Sequence, residues 1–266
     1  MTNIFSEKYG PWAVIAGASK GLGLEFAKQL AGLGLNVVMV AESLPDLETA
    51  RKSINTNVEC KILEADLLSP DAATRIGQFT QSLEVGLLVF NATHRDLGPF
   101  LKNSVEDHLG VVGVNCAQTV NLCHMFAKRM AQPIRTKKGG IILMGSLSGF
   151  TGTPYVATYA ASKAFNISLG EGIGEELAES GIDVLVCAPG AVATPNYLES
   201  IPAGVSSSAP LLQPEFVVKT ALRNLGKKRL ILPGWKNRLI ALLLTRLLPR
   251  KLSVKIMGSA TKKLYD

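Results

Sequence analysis

The chain of 266 residues has few cysteines, and it has no long uninterrupted apolar run. Cys60, Cys116, Cys123 and Cys187 form no CxxC pair and have no histidine spacing suited to zinc. That leaves no metal site in the pattern and points to reduced, mostly buried thiols in a reducing compartment, with the cytoplasm as the expected location. No window reaches the ~18 to 20 uncharged apolar residues that a spanning helix needs. Met1 to Trp12 includes Glu7 and Lys8 and does not read as a signal peptide. No Pro/Gly/Ser-rich linker or internal repeat divides the chain. Acidic residues are scarce in one region only: residues 226–266 hold eleven Lys/Arg and a single Asp, against seventeen basic and twenty acidic residues elsewhere. The net charge of +7 therefore belongs to the tail. A nucleic-acid-binding body should carry its basic face within the fold, so no nucleic-acid partner is expected.

What is present suffices for a large core. The composition is 47% hydrophobic and 18% charged, which fits one large α/β domain or two small ones. Trp12–Ala16 reads as a buried strand. Gly17-Ala18-Ser19-Lys20-Gly21-Leu22-Gly23 follows it, and then a helical pattern through Phe26, Leu30 and Leu33. Strand, glycine-rich turn and helix form the context in which backbone N–H groups at a helix start face a pyrophosphate. Further apolar strands are expected at 36–40, 58–63, 85–90, 141–144, 182–187 and 229–232, with a helix from about Pro70 and a long one over 104–130. The pattern predicts a Rossmann-type, doubly wound parallel sheet of about seven strands.

Chemistry-bearing residues cluster at the expected strand ends. Glu42 follows the second strand, where a carboxylate suits ribose hydroxyls and repels a 2′-phosphate, whereas Lys20 would attract that phosphate. Asp66, before Leu67, ends the third strand and suits either an adenine amino group or a helix cap. Asn91-Ala92-Thr93 continues the fourth. Asn115 is polar among apolar neighbours, which requires hydrogen bonds if it is buried. Ser146 ends the fifth strand. Tyr159 and Lys163, four apart, share one face of a helix. A fixed ammonium beside a phenol lowers its pKa and makes an acid/base device.

With these motifs in order, the sequence resembles the short-chain dehydrogenase/reductase family from about Trp12 to Leu232. The matching positions are Gly17, Gly21 and Gly23, Asp66, Asn91-Ala92, Asn115, Ser146 thirteen residues before Tyr159, Tyr159-x-x-x-Lys163, and Pro189, Gly190, Val192 and Thr194. The resemblance implies that Tyr159 protonates a carbonyl oxygen and that Ser146 hydrogen-bonds that oxygen. It implies that Lys163 tunes Tyr159 and holds the nicotinamide ribose, with Asn115 positioning a water. Three positions depart from the family pattern: Ala16 stands for a threonine, Phe90 for an asparagine and Thr93 for a glycine. By the family's habits Ala41 and Lys20 favour NADP(H), whereas Glu42 favours NAD(H). NADP(H) is the expected cofactor and NAD(H) the alternative.

Beyond Thr194, the segment to Gln213 is long for a loop and reads as a lid over a small hydrophobic substrate. Its apolar members are Tyr197, Leu198, Ile201, Val205, Leu211 and Leu212. The division expected is 1–232 as dinucleotide-binding catalytic domain, including that loop, and 233–266 as a basic, apolar extension of the same domain. On a helical wheel Ile240, Leu243, Leu244 and Leu247 share one side. Two readings of this tail stand: a peripheral membrane anchor with Trp235 at headgroup level, or an arm that closes the pocket or joins subunits. The resemblance implies a homodimer or homotetramer. The function expected is ketone/secondary-alcohol oxidoreduction on a steroid-like or 3-oxoacyl substrate. The alternatives are an epimerase or dehydratase, or a non-enzymatic dinucleotide sensor.

Overall fold

Strand side chains alternate between two faces, and here both faces are apolar and both are covered. The computed structural model describes residues 2–54, 57–132, 137–202 and 210–265. Its strands are β1 (Trp12–Ala16), β2 (Asn36–Ala41), β3 (Cys60–Glu64), β4 (Val85–Phe90), β5 (Gly139–Met144), β6 (Ile182–Cys187) and β7 (Leu230–Ile231). They pair in parallel in the order 3-2-1-4-5-6-7. The helices are α1 (Thr2–Tyr9), α2 (Gly21–Gly32), α3 (Leu44–Lys52), α4 (Ala72–Phe79), α5 (Val105–Val112), α6 (Gln118–Met130), α7 (Ala157–Glu176), α8 (Pro195–Glu199), α9 (Pro214–Asn224), α10 (Trp235–Leu242) and α11 (Arg250–Tyr265).

Ala13, Ile15, Val37, Met39, Leu87 and Leu185 point to one face, where Phe26 and Leu30 of α2 and Val217 of α9 pack on them. Val14, Val38, Leu88, Leu143 and Val184 point to the other, against Ile76 of α4, Leu122 and Phe126 of α6, and Ile167 of α7. The strand order reverses between β1 and β4, and ligands bind at such a switch point, outside the carboxyl ends of the strands.

Several element boundaries differ from the sequence reading for local reasons. β3 begins at Cys60, and α4 begins at Ala72 after a turn through Pro70. The long helix over 104–130 is interrupted: one π-helical turn, Gly113–Ala117, separates α5 from α6. Ser104 and Asp107 close the start of α5 as a capping box. The residues before Trp12 form α1, whose buried Tyr9 donates to Asp183 at 2.7 Å. Of the four free cysteines, Cys123 and Cys187 are buried and Cys60 and Cys116 half-buried.

In the segment read as a lid, Thr194 caps the short helix α8 through its hydroxyl, which accepts from the Tyr197 N–H at 3.3 Å. The chain then returns to pair Leu212 with Val192. Val205 lies outside the described residues. In the tail, Ile240, Leu244, Ile256, Met257 and Leu264 line the cavity above the β5 and β6 ends, which is the pocket-closing arm of the two readings. Leu243 and Leu247 are exposed instead of sharing the buried side. A π-helical turn over Leu243–Leu247 adds a residue per turn, so the 3.6-residue wheel loses register there. No helix among the described residues is long and apolar enough to cross a membrane.

Candidate active site

The glycine turn after β1 is shaped by close backbone approaches. Gly17 has φ +79°, and a Cβ there would sit 2.6 Å from the Ala92 Cα. The Asn91 side-chain amide donates to the Gly17 carbonyl at 2.8 Å, which ties the β1 turn to the β4 turn. Lys20 precedes α2 and supplies no side-chain cap, so the first N–H groups of α2 stay open toward the cavity. Open helix-start donors beside side-chain-free backbone fit a pyrophosphate.

The other candidate cofactor residues are distributed along the strand ends. Gly21, Leu22, Asn91, Pro189, Gly190, Val192 and Thr194 line one cavity of about 540 Å³ together with Ser146, Tyr159 and Lys163. Gly17, Ser19, Gly23, Ala92, Glu42, Asp66 and Leu67 lie outside its lining. Lys20 lines it too, but its ammonium pairs with Asp46 of α3 at 2.9 Å. Both groups are largely exposed, and such pairs are weak enough for a competing anion to break. Glu42 is exposed. The exposed Asp66 accepts from the Leu68 N–H at 2.8 Å, a local turn and not a helix cap, since Asp71 stands at the start of α4.

Ser146 leaves β5 in an extended conformation, and its hydroxyl accepts from the Ser148 N–H at 3.2 Å. The Ser148 hydroxyl lies 2.9 Å from the same oxygen. Lys163 is 2% exposed, donates to the Met144 carbonyl at 3.1 Å and stands over the Tyr159 ring, 5.4 Å from its centroid. Burial pushes the ammonium down to about 8. The electrostatics of Tyr159 differ from the sequence reading. Burial holds its phenol above the ordinary range, and the opposing pulls come from the Arg95 charge and a Ser146 hydrogen bond, with no contribution from Lys163.

Asn115 is fully buried in the π-helical turn. Its carbonyl oxygen accepts from the His94 N–H at 2.8 Å, and its amide donates to the His94 carbonyl at 3.0 Å and to the Ser162 hydroxyl at 2.9 Å. It therefore pins the loop after β4 to α7, one residue from Lys163, and makes no direct bond to Lys163.

A second set of contacts on α7 was not legible in the pattern. The residue before α7, Val156, cannot cap it. Asp96, from the loop after β4, does so from a distance by accepting the Tyr159 N–H at 3.1 Å. Its other oxygen meets His108 Nδ1 at 2.8 Å, and the Thr158 hydroxyl lies 2.9 Å from that nitrogen. His108 Nε2 faces the Phe100 carbonyl at 3.0 Å. The Phe100 carbonyl and then the Asp96 carboxylate hold the imidazole above its ordinary pKa. Asp96→Ala is expected to cost about 2 kcal/mol in urea unfolding, because it leaves the His108 Nδ1 and a helix-start N–H without their carboxylate partner. A loss below about 0.5 kcal/mol would show that the cap is dispensable. The usable sequence signal was the position of Asp96 just past a strand's carboxyl end.

Comparison with known proteins follows the same geometry. The family model described as short chain dehydrogenase matches residues 11–202. The chain is 34% identical over 236 residues to a 7beta-hydroxysteroid dehydrogenase of Clostridium sardiniense, covering 88% of this chain and 89% of that one. It is 38% identical over 184 residues to a very-long-chain 3-oxoacyl-CoA reductase of Pyricularia oryzae, covering 66% and 55% respectively. A solved structure described in work on 7beta-hydroxysteroid dehydrogenase stereoselectivity superimposes with a TM-score of 0.86 at 29% identity, over 95% of this chain and 98% of that one. A short-chain dehydrogenase from Sphingobium yanoikuyae in complex with NADPH gives 0.74 at 27% identity, over 84% and 87%. Sequence motifs, strand order and these likenesses agree, and the chain belongs to the short-chain dehydrogenase family.

Proposed function

We propose that this NAD(P)-dependent oxidoreductase interconverts a ketone and a secondary alcohol on a hydrophobic, steroid-like or 3-oxoacyl substrate, with NADP(H) as its preferred cofactor. The observation that carries the reading is the convergence of Ser146, Tyr159 and Lys163 on one cavity with the glycine turn and an apolar wall from the tail. In the reductive direction the Tyr159 hydroxyl gives its proton to the carbonyl oxygen, and the Ser146 hydroxyl donates to that oxygen and orients it. The raised phenol of the free chain keeps Tyr159 protonated and ready to donate. Lys163 and the Asn91 and Val192 region would hold the nicotinamide end, and the α2 start the pyrophosphate. When bound, the cofactor supplies the hydride. Asn115 and Asp96 hold α7, and with it Tyr159, against the loop after β4.

The NADP(H) preference rests on Ala41, which is small and buried, on Lys20, and on the NADPH complex of the Sphingobium relative. Glu42 opposes it. Calorimetric titration is expected to give tighter binding of NADPH than of NADH, with Glu42→Arg widening the gap. Tighter binding of NADH would overturn the preference. Self-association is proposed on a separate ground: Val105, Leu109, Val112, Val120 and Phe165, on α5, α6 and α7, leave an exposed apolar face.

A further inference from the structure

Among the described residues, the charges lining the cavity are all of one sign. Lys20, Arg95, Lys163 and Lys263 line it, and none of the described lining residues is an aspartate or glutamate. Two of the four are accounted for: Lys20 lies at the glycine turn and pairs with Asp46, and Lys163 is buried against Tyr159. Arg95 and Lys263 are not. Arg95 sits on the loop after β4, half-buried, and makes one hydrogen bond among the described residues, from its guanidinium to the Asn196 carbonyl at 3.0 Å. No carboxylate among the described residues lies in ion-pair range of Arg95 or Lys263. The adjacent Asp96 is occupied by the Tyr159 N–H and His108.

A guanidinium offers five N–H donors in a planar fork that matches a carboxylate or phosphate. With one of these donors on the Asn196 carbonyl and no carboxylate beside it among the described residues, the Arg95 fork keeps donors for an anionic ligand. The wall itself, from Leu97, Ile240, Leu244, Ile256 and Met257, suits an extended hydrophobic body. The Arg95 charge also reaches both Tyr159 and Lys163, so it acts within the enclosure where the reaction is placed.

We propose that the substrate is an apolar ketone with a negatively charged group, and that Arg95, assisted by Lys263, receives that group. The inference rests on the ketone-reductase reading for the identity of the substrate, but the anion site itself does not. Two sources share the chemistry: a side-chain carboxylate on a steroid-like ketone, and the phosphates of an acyl thioester.

Four probes separate the possibilities: a 7-oxo steroid carboxylate, its methyl ester, a 3-oxoacyl-CoA, and the matching 3-oxoacyl pantetheine thioester without phosphates. Calorimetric titration of the full chain at low salt is expected to show one charged probe binding about 10- to 100-fold tighter than its neutral partner. The gap should narrow as salt is raised. Arg95→Leu should remove the gap while the neutral partner's affinity moves less than about twofold, and Arg95→Lys should keep part of it. Which pair shows the gap identifies the source. Equal binding within both pairs, an Arg95→Leu loss shared by charged and neutral probes, or binding of none of the four would overturn the proposal. Turnover is read separately. Reduction of a neutral probe without any charge preference sinks only the anion site. A charge preference in binding without turnover of any probe sinks only the ketone-reductase reading.

Discussion

Tyr159→Phe is expected to lower kcat for ketone reduction by about 10³-fold or more, within or above the usual range for losing a positioned general acid. The NADPH dissociation constant should move little. The change removes one oxygen and keeps the ring that packs beside Lys163. Asp96 continues to cap α7, because it bonds the backbone N–H of residue 159 and not the phenol. The phenol is also the group at this site whose protonated state is secured by burial. The remaining neighbours, Ser146 and Ser148, bond mainly to one another, and a serine hydroxyl is a poor substitute acid. Single-turnover kinetics and cofactor titration on the same preparation separate the two effects. Near-native kcat in the variant would remove Tyr159 from the chemistry.

Lys163→Met is expected to do two opposite things: lower kcat by about 10²-fold or more, and stabilise the fold at neutral pH. Lys163 is 2% exposed, and its ammonium is pushed down to about 8 from an ordinary value of 10.5. Below pH 8 the site is protonated in both folded and unfolded chains, and the folded chain bears the full cost of a buried charge. Between about pH 8 and 10.5 the unfolded chain holds more protons at this site than the folded one, so native stability rises with pH across that window. A shift of this size corresponds to about 3 kcal/mol. Losing the bond to the Met144 carbonyl returns about 1 kcal/mol. The variant's net advantage is then about 2 kcal/mol at pH ~7, shrinking toward pH ~10. Urea unfolding at both pH values checks the sign. A variant that is less stable at neutrality, or whose advantage grows with pH, would show that Lys163 is not a strained buried charge. A lysine kept at such a cost is explained by its role at the site.

The strands, and the meeting of the candidate catalytic residues at one cavity, were legible because their signals are local. Trp12–Ala16 and Val85–Phe90 are short apolar runs between turn residues, and the structure gives them the same limits. Ser146, Tyr159 and Lys163 come together because a strand end and one helix face fix them within eighteen residues of chain. The surroundings of the candidate cofactor residues were less legible. Lys20 looked free to meet a phosphate, yet Asp46, on a different helix, pairs with it. The origin of the Tyr159 electrostatics was misread for a related reason. Spacing revealed Lys163 as a neighbour but not the burial that lowers its pKa, nor Arg95 on a remote loop. Asp96 and His108 sit in irregular backbone or on an ordinary-looking helix, and their partners are far away in sequence. The tail resisted because helical periodicity assumes 3.6 residues per turn, and the π-helical turn at 243–247 breaks it.

Hydride transfer is the most direct measure of the central claim. Native protein is incubated with NADPH deuterated at the transferable position and with 7-oxo steroid and 3-oxoacyl ketones, and the products are read by mass spectrometry. The expected result is a secondary alcohol with deuterium on the former carbonyl carbon, formed by the native chain and lost in Tyr159→Phe. No labelled alcohol from either ketone class, or equal labelling by native protein and Tyr159→Phe, would contradict a reductase that works through Ser146, Tyr159 and Lys163.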